Sequence, residues 1–127
     1  MPTHSANDPN LAVQHYLYDT KRNLVDIRDL AILHTDGTLL ATTSPKEESV
    51  EQLAQSIVIL TSARGLLAAM DGGALAEVFV HGEHGYVMIF PIHSTAVLIA
   101  SAVPKVKLAH MLLDLRRLAE QVAGLLV

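Results

Sequence analysis

The residues whose types and spacing could support chemistry lie near the middle of the chain. His81, Glu83 and His84 fall close together, and His93 follows soon after them. Two imidazoles and a carboxylate are common zinc ligands. The same segment is typical of a polar hairpin tip, because a glycine stands on each side of the Glu83-His84 pair. A glycine-flanked turn holds ligands poorly in place. We therefore predict a solvent-exposed turn, with no resident metal or other cofactor.

Catalytic signatures with fixed spacing are absent from the sequence. The chain lacks the phosphate-binding P-loop, the dinucleotide fingerprint, the nucleophile elbow and the H-E-x-x-H zinc motif. It has no cysteine, which excludes thiol catalysis and a disulfide scaffold. His15, His34 and His110 stand singly among apolar neighbours, which is typical of histidines at the edge of a core. We predict that the chain is not an enzyme.

Composition narrows the class of partner. The chain has 127 residues, is 50% hydrophobic, carries a formal net charge of −4 and contains no tryptophan. This length is typical of one domain with its own core. Binding to nucleic acid needs a positive excess and stacking aromatic rings, whereas the chain has no positive excess and only five aromatic residues. We therefore predict no nucleic-acid partner.

One uncharged stretch, residues 86–104, raises the question of a membrane segment. A spanning helix needs about 20 predominantly apolar residues, whereas Pro91, His93 and Ser94 stand in the middle of this stretch. Two buried strands joined by a short turn explain it better. The first ten residues have neither a basic region nor an apolar run, so no secretory signal is visible. We predict a cytoplasmic protein without direct membrane insertion.

The elements that would position these residues begin with a flexible leader at residues 1–8, followed by a single domain at 9–127. Asp8 and Pro9 form a helix-start signal, which predicts a helix over 9–23. Asp-Gly at 36–37 stands between two apolar runs and predicts a hairpin with strands at 30–35 and 38–43.

A capping-box pattern at 44–47 predicts a long second helix that ends near Met70. Three strand-like runs follow at 74–81, 86–92 and 95–103, and Pro104 is predicted to open a last amphipathic helix. The strands are almost continuously hydrophobic, which indicates that both faces of the sheet are covered. The predicted fold is an α/β (α+β) sandwich: a five-stranded antiparallel sheet with helices on both faces, in the order α-β-β-α-β-β-β-α.

Two features predict association with another chain. The run Ile57-Val58-Ile59-Leu60 would spread over most of the circumference of the second helix. A single core-facing stripe cannot hold all four side chains. The run 77–80 would form a long hydrophobic edge strand without proline or lysine, and such an edge favours pairing with another strand. The alternative is that both features belong to the core.

The order of elements and several stretches together resemble the Roadblock (dynein light chain roadblock-type) domain family. The matching stretches are the hairpin at 30–41, the long second helix, the strand-proline-strand segment at 87–92 with 97–100, and the closing helix at 113–120. The resemblance covers about residues 10–127. The sequence departs from the family pattern at two places. One is the link to the last helix, and the other is Val25-Asp26-Ile27-Arg28, before the first strand.

The resemblance implies a fold of the Roadblock, longin and profilin type. It also implies dimers, in which third strands pair edge to edge and second helices pack together. Members of the family regulate or scaffold Ras-like small GTPases. The bacterial MglB-type members act as GTPase-activating partners without inserting an arginine finger, so Arg64 is not assigned that role.

The resemblance thus predicts a homodimeric regulator or scaffold that binds a Ras-like small GTPase. The predicted dimer or partner interface comprises seven residues of the second helix and third strand: Ile57, Leu60, Thr61, Arg64, Val78, Phe79 and Val80. Two alternatives remain open, namely a structural dimerisation module without GTPase contact and a small-molecule sensor. A sensor would need an internal cavity with converging polar groups.

Overall fold

An antiparallel sheet lies between two unequal helical layers. The computed structural model describes residues 9–44 and 50–126. Its helices are α1 (Pro9–Asn23), α2 (Val50–Ala69) and α3 (Leu108–Leu125), and its strands are β1 (Ile27–His34), β2 (Leu39–Thr42), β3 (Val78–Gly82), β4 (Gly85–Ile92) and β5 (Ala96–Ala102). The strands lie in the order β2-β1-β5-β4-β3. The predicted order of elements and the predicted five-stranded antiparallel sheet are confirmed.

Two sequence predictions lie outside the described residues. These are the leader at 1–8 and residues 45–47 of the predicted capping box. The first and second helices are otherwise found where the sequence predicted them, with α1 over 9–23 and α2 ending one residue before Met70.

The larger core lies between the sheet and the helices α1 and α3. Alternate residues of β5 point to this side, and three of them are alanines: Ala96, Ala100 and Ala102. Small side chains let the two helices approach the sheet closely. Leu17 of α1 and Leu115 of α3 are fully buried against this face. The larger core therefore fixes both terminal helices on one side of the sheet.

The smaller core lies on the opposite face, beneath α2. Its buried members in the described chain are five residues: Leu33, Leu60, Ile89, Val97 and Ile99. Only one of them, Leu60, comes from α2. The helix therefore covers its face of the sheet with far fewer buried side chains than α1 and α3 provide on theirs.

The β1–β2 turn is wider than a two-residue hairpin loop. The amide of Gly37 donates to the carbonyl of His34 at 2.9 Å, and the amide of Thr38 donates to Oδ1 of Asp36 at 2.8 Å. Gly37 alone in this turn has a positive φ, at 93°. Hydrogen bonding by the side chain and then the backbone of Thr38 lowers the pKa of the Asp36 carboxyl.

Three predicted boundaries are wrong by three or more residues, the first being that of β1, which begins at Ile27 and not at Leu30. β3 begins at Val78, not Ala74, because Leu75 packs beneath α2 and the carboxylate of Glu77 pairs with Arg116 before the ladder starts. The last helix begins at Leu108, four residues after Pro104. The amide of Val103 donates to the carbonyl of Asp26 at 3.0 Å, and the chain then bends at Pro104 and Lys105 before the helix begins.

The β4–β5 turn is tied to the end of α3. Its first residue, His93, has a φ of 52°, in the left-handed region that non-glycine residues seldom adopt. The His93 Nε2 donates to the carbonyl of Ala123 at 2.8 Å. This bond satisfies a carbonyl near the helix end and holds the turn against α3.

We expect Gly85→Ala to lower the free energy of unfolding by about 1–3 kcal/mol. A Cβ at Gly85 would stand 2.5 Å from the carbonyl oxygen of Ala102, a backbone atom of the neighbouring strand that cannot move freely. Urea unfolding followed by circular dichroism measures the loss.

The matched control is Gly124→Ala, in the last turns of α3. Apart from its chain neighbours and the backbone of its own helix, no atom lies within 4 Å of the added Cβ there. Helix propensity should therefore raise stability by about 1 kcal/mol. Equal stability of the two variants would contradict the close approach between β4 and β5.

Candidate association surface

The outer edge of β3 is open. This strand ends the sheet and pairs with β4 through five residues in unbroken register, from Val78 opposite Ile89 to Gly82 opposite Gly85. Within the described chain, no side chain or backbone group is hydrogen-bonded to its outer side. An unprotected edge presents a row of donors and acceptors to a further strand.

The side chains of β3 make both faces of this edge apolar. Phe79 lies opposite Met88 and therefore points to the α3 side, whereas Val80 lies opposite Val87 and points to the α2 side. Phe79 and Val80 are each 42% exposed. A regular edge strand with large apolar residues exposed on both faces is suited to burial against another protein.

An exposed apolar stripe runs along α2. Ile59, Leu66 and Met70 follow at steps of seven and four residues, which keeps them on one side of the helical path. Leu66 and Met70 are 63% and 73% exposed. Met70 extends the stripe by one residue beyond the helix.

A groove connects the stripe with the edge strand. It has a volume of about 380 Å³ and runs across the sheet beneath the first half of α2. Ile59, Val80 and Val87 all line it, so the α2 stripe and the β3 edge border the same depression. We call these three features together the association surface: the edge of β3, the α2 stripe and this groove.

Two of the polar side chains that line the groove, Asp29 and Ser56, are hydrogen-bonded within the protein. Asp29 is bound by Lys21 Nζ at 3.1 Å and by the hydroxyl of Thr43 at 3.0 Å. The Ser56 hydroxyl donates to the carbonyl of Leu53 at 2.6 Å, within its own helix. Asp29 and Ser56 are thus engaged with the protein itself, whereas Gln52 and Gln55, which also line the groove, are exposed.

The predicted interface residues fall into two groups. Arg64, Phe79 and Val80 are exposed, as a contact with a partner requires. Thr61 is also exposed, and its hydroxyl donates to the carbonyl of Ile57 at 3.0 Å. Arg64 makes no ion pair within residues 9–44 and 50–126.

The other three predicted interface residues pack inward. The assignment of Leu60 to the interface is corrected, because this residue belongs to the core. Its side chain is 2% exposed and lies in the smaller core, so it has almost no surface to offer a partner. Ile57 and Val78 are half-buried and pack against the same core. In the run at 57–60, the two outward residues are Val58 and Ile59.

The sequence predicted an outward apolar face on the second helix but did not assign Ile59, Leu66 and Met70 to it, although a signal for them exists. The inward-facing residues Leu53, which is half-buried, and Leu60 are seven apart, and Ile59 and Leu66 repeat the same step one position out of phase. One residue of phase rotates a helical side chain by about 100°. Two apolar stripes with this offset indicate one face for the sheet and one for a partner.

The histidine cluster at the β3–β4 hairpin does not assemble a metal site. The ring of His81 stacks on that of Tyr86, with centroids 4.2 Å apart and an interplanar angle of 6°. In the part of the chain that the structure describes, no three histidine, aspartate or glutamate side chains converge as metal ligands would. The stacked pair instead adds a cross-strand contact at the end of the open edge, where His81 lies opposite Tyr86.

Charge lies beside the association surface on the α3 side. The carboxylate of Glu77, just before β3, pairs with the guanidinium of Arg116, and this hydrogen bond raises the pKa of Arg116. Arg116 is half-exposed at its side chain, so the pair is screened by solvent. Its effect is to hold the entry of β3 against α3.

The family model of the Roadblock/LC7 domain matches residues 19–102, which is more than half of the chain. The chain belongs to the Roadblock/LC7 domain family. The matched range contains the whole sheet and α2, and therefore the whole association surface. No curated protein matches the chain in sequence.

Solved structures agree with this assignment at the level of the fold. The Roadblock/LC7 domain from Streptomyces avermitilis is 16% identical, with a TM-score of 0.82 over 89% of this chain and 96% of that one. An MglB with tetrameric arrangement is 19% identical, with a TM-score of 0.83 over 97% and 92%. Acanthamoeba castellanii profilin IB is 18% identical, with a TM-score of 0.65 over 87% and 96%. The predicted likeness to Roadblock, MglB and profilin folds is confirmed.

No helix in the described residues combines the length and hydropathy needed to cross a bilayer. The apolar stretch that raised this question forms β4, a turn and β5.

We expect Leu60→Ala to lower the free energy of unfolding by about 2–5 kcal/mol, because it removes a buried side chain from the smaller core. Val58→Ala, on the same helix but 61% exposed, should change it by less than about 0.5 kcal/mol. Urea unfolding at one protein concentration compares the two variants. Equal losses would show that the inward face of α2 is wrongly assigned.

Proposed function

We propose that the chain is a homodimeric regulator or scaffold that binds a Ras-like small GTPase. The observation that carries the proposal is the continuity of the open β3 edge with the exposed α2 stripe. Membership of the Roadblock/LC7 family, with which regulatory and scaffolding roles are associated, supports the same interpretation.

The first part of the proposal is self-association through β3 and α2. Two copies related by a two-fold axis would pair their β3 strands antiparallel and join two sheets into one. Phe79 and Val80 would then lose solvent on both faces of the new junction. The exposed residues of α2 would lie beside their counterparts in the second copy. A solved MglB with tetrameric arrangement, which shares the fold, supports self-association.

The second part of the proposal is that the dimer binds a GTPase with an affinity that depends on the nucleotide bound to that GTPase. A dimer brings two α2 helices together and presents Thr61 and Arg64, both exposed, from each copy. Such a surface can favour one state of a GTPase only if it binds that state more tightly. A GTPase-activating effect would come from repositioning the GTPase's own catalytic groups.

A purely structural dimerisation module is the second candidate function. The sensor alternative is less favoured, because the groove beneath α2 is mainly apolar and two of its polar side chains, Asp29 and Ser56, are already engaged within the protein. The two remaining candidates differ in whether a GTPase is retained by the intact dimer.

We expect Ile59→Asp and Phe79→Asp each to convert the dimer into a monomer, because each places a charge on the buried junction. Light scattering coupled to size exclusion should give half the wild-type mass. Leu113→Asp is the control, since Leu113 is 59% exposed on α3, outside the association surface. A dimer mass in all three variants would contradict the assignment of the junction.

We expect the tagged protein to retain a Ras-like GTPase from a lysate of its source cells, with enrichment in one nucleotide arm. Parallel pull-downs contain excess GDP or a non-hydrolysable GTP analogue, and mass spectrometry identifies the retained chain. Phe79→Asp serves as the assembly-deficient control. Retention of no GTPase in either arm by an intact dimer would favour the structural module.

A further inference from the structure

The two edges of the sheet are built differently. β3 is a five-residue strand in unbroken register with its neighbour. β2 has four residues, and its register with β1 shifts: Ile32 lies opposite Ala41, whereas Leu33 lies opposite Leu39. Leu40 is therefore the extra residue of a β-bulge, and a bulge bends an edge away from regular pairing.

Gln14 of α1 occupies the outer side of β2. Its Nε2 donates to the carbonyl of Thr42 at 2.7 Å, and the amide of Thr42 donates to its Oε1 at 3.2 Å. A side-chain carboxamide carries one acceptor and a donor group, as a peptide unit does. Gln14 thus makes with Thr42 the pair of bonds that a neighbouring strand would make.

The bonds to Gln14 use groups that the sheet itself leaves unpaired. The next residue, Thr43, faces inward, since its amide donates to the carbonyl of Leu30 at 2.9 Å. Successive residues of a strand direct their backbone groups to opposite sides. The amide and carbonyl of Thr42 therefore point away from β1, toward any strand that might add to this edge.

We propose that Gln14 closes the β2 edge, so that a second copy of this chain can pair strands only at β3. The inference goes beyond the proposed function, because it concerns the opposite edge of the sheet. Two copies joined at β3 carry a β2 strand at each outer end of the joined sheet. If these ends also paired, each addition would expose another end, and the assembly would grow without closure.

A purely structural role for Gln14 predicts a different result. If the carboxamide only anchored α1 to β2, its loss would lower thermal stability without adding mass. If it closes the edge, its loss adds mass that depends on protein concentration. The two roles are therefore separated by a mass measurement, whatever the oligomeric state of the wild-type protein.

The test compares wild type with Gln14→Met, which keeps the length of the side chain but can neither donate nor accept as an amide does. Light scattering over a hundredfold range of concentration should show at least a doubling of mass relative to wild type at the upper end. Gln14→Met/Thr42→Pro removes the exposed donor and should restore the wild-type mass. His15→Ala, an exposed neighbour on α1, is the control and should not change the mass.

Gln14→Ser provides the same test if the methionine variant does not fold, because a hydroxyl at this position is too short to reach Thr42. A folded Gln14 variant with the wild-type mass at every concentration would overturn the proposal. Additional mass that Thr42→Pro leaves unchanged would also overturn it, because the new contact would then lie elsewhere. Pairing at β3 is tested separately, because a wild-type protein with the mass of a monomer would contradict the β3 junction without bearing on Gln14.

Discussion

The rest of the structure depends on the double burial of β5. Its residues from Ala96 to Ala100 are all buried, although successive side chains point to opposite faces of the sheet. A strand buried in this way requires a helical layer on each face and a strand on each side. β1 and β4 supply the neighbouring strands, α1 and α3 cover one face, and α2 covers the other. In this arrangement β2 and β3 are the two edge strands of the sheet, each with only one neighbouring strand.

Local sequence signals predicted the helices and strands, since each of these elements depends mainly on the chemistry of neighbouring residues. Asp-Gly marked the first hairpin and Pro9 marked the start of α1. The boundaries at Ala74 and Pro104 were wrong because tertiary contacts decide them. The Glu77–Arg116 pair and the Val103–Asp26 hydrogen bond join residues far apart in the chain, and no local pattern announces either of them.

The association surface was predictable in part. An apolar edge at β3 follows from composition and strand order, and the structure places Phe79 and Val80 there in exposed positions. The split of α2 into an inward and an outward stripe does not follow from the run at 57–60, because apolar residues occupy both. Leu60 was assigned to the partner for this reason, and only the packing against Val97 and Ile99 identifies it as core.

The two helical layers differ in how much of the folding free energy depends on them. Most buried residues lie between the sheet and the terminal helices, whereas α2 contributes a single fully buried leucine to its own thin core. Substitutions on the outer stripe of α2 therefore cost the protomer little. Over evolutionary time, a lineage built on this plan can exchange its partners by changing α2, while the sheet and its larger core keep the fold constant.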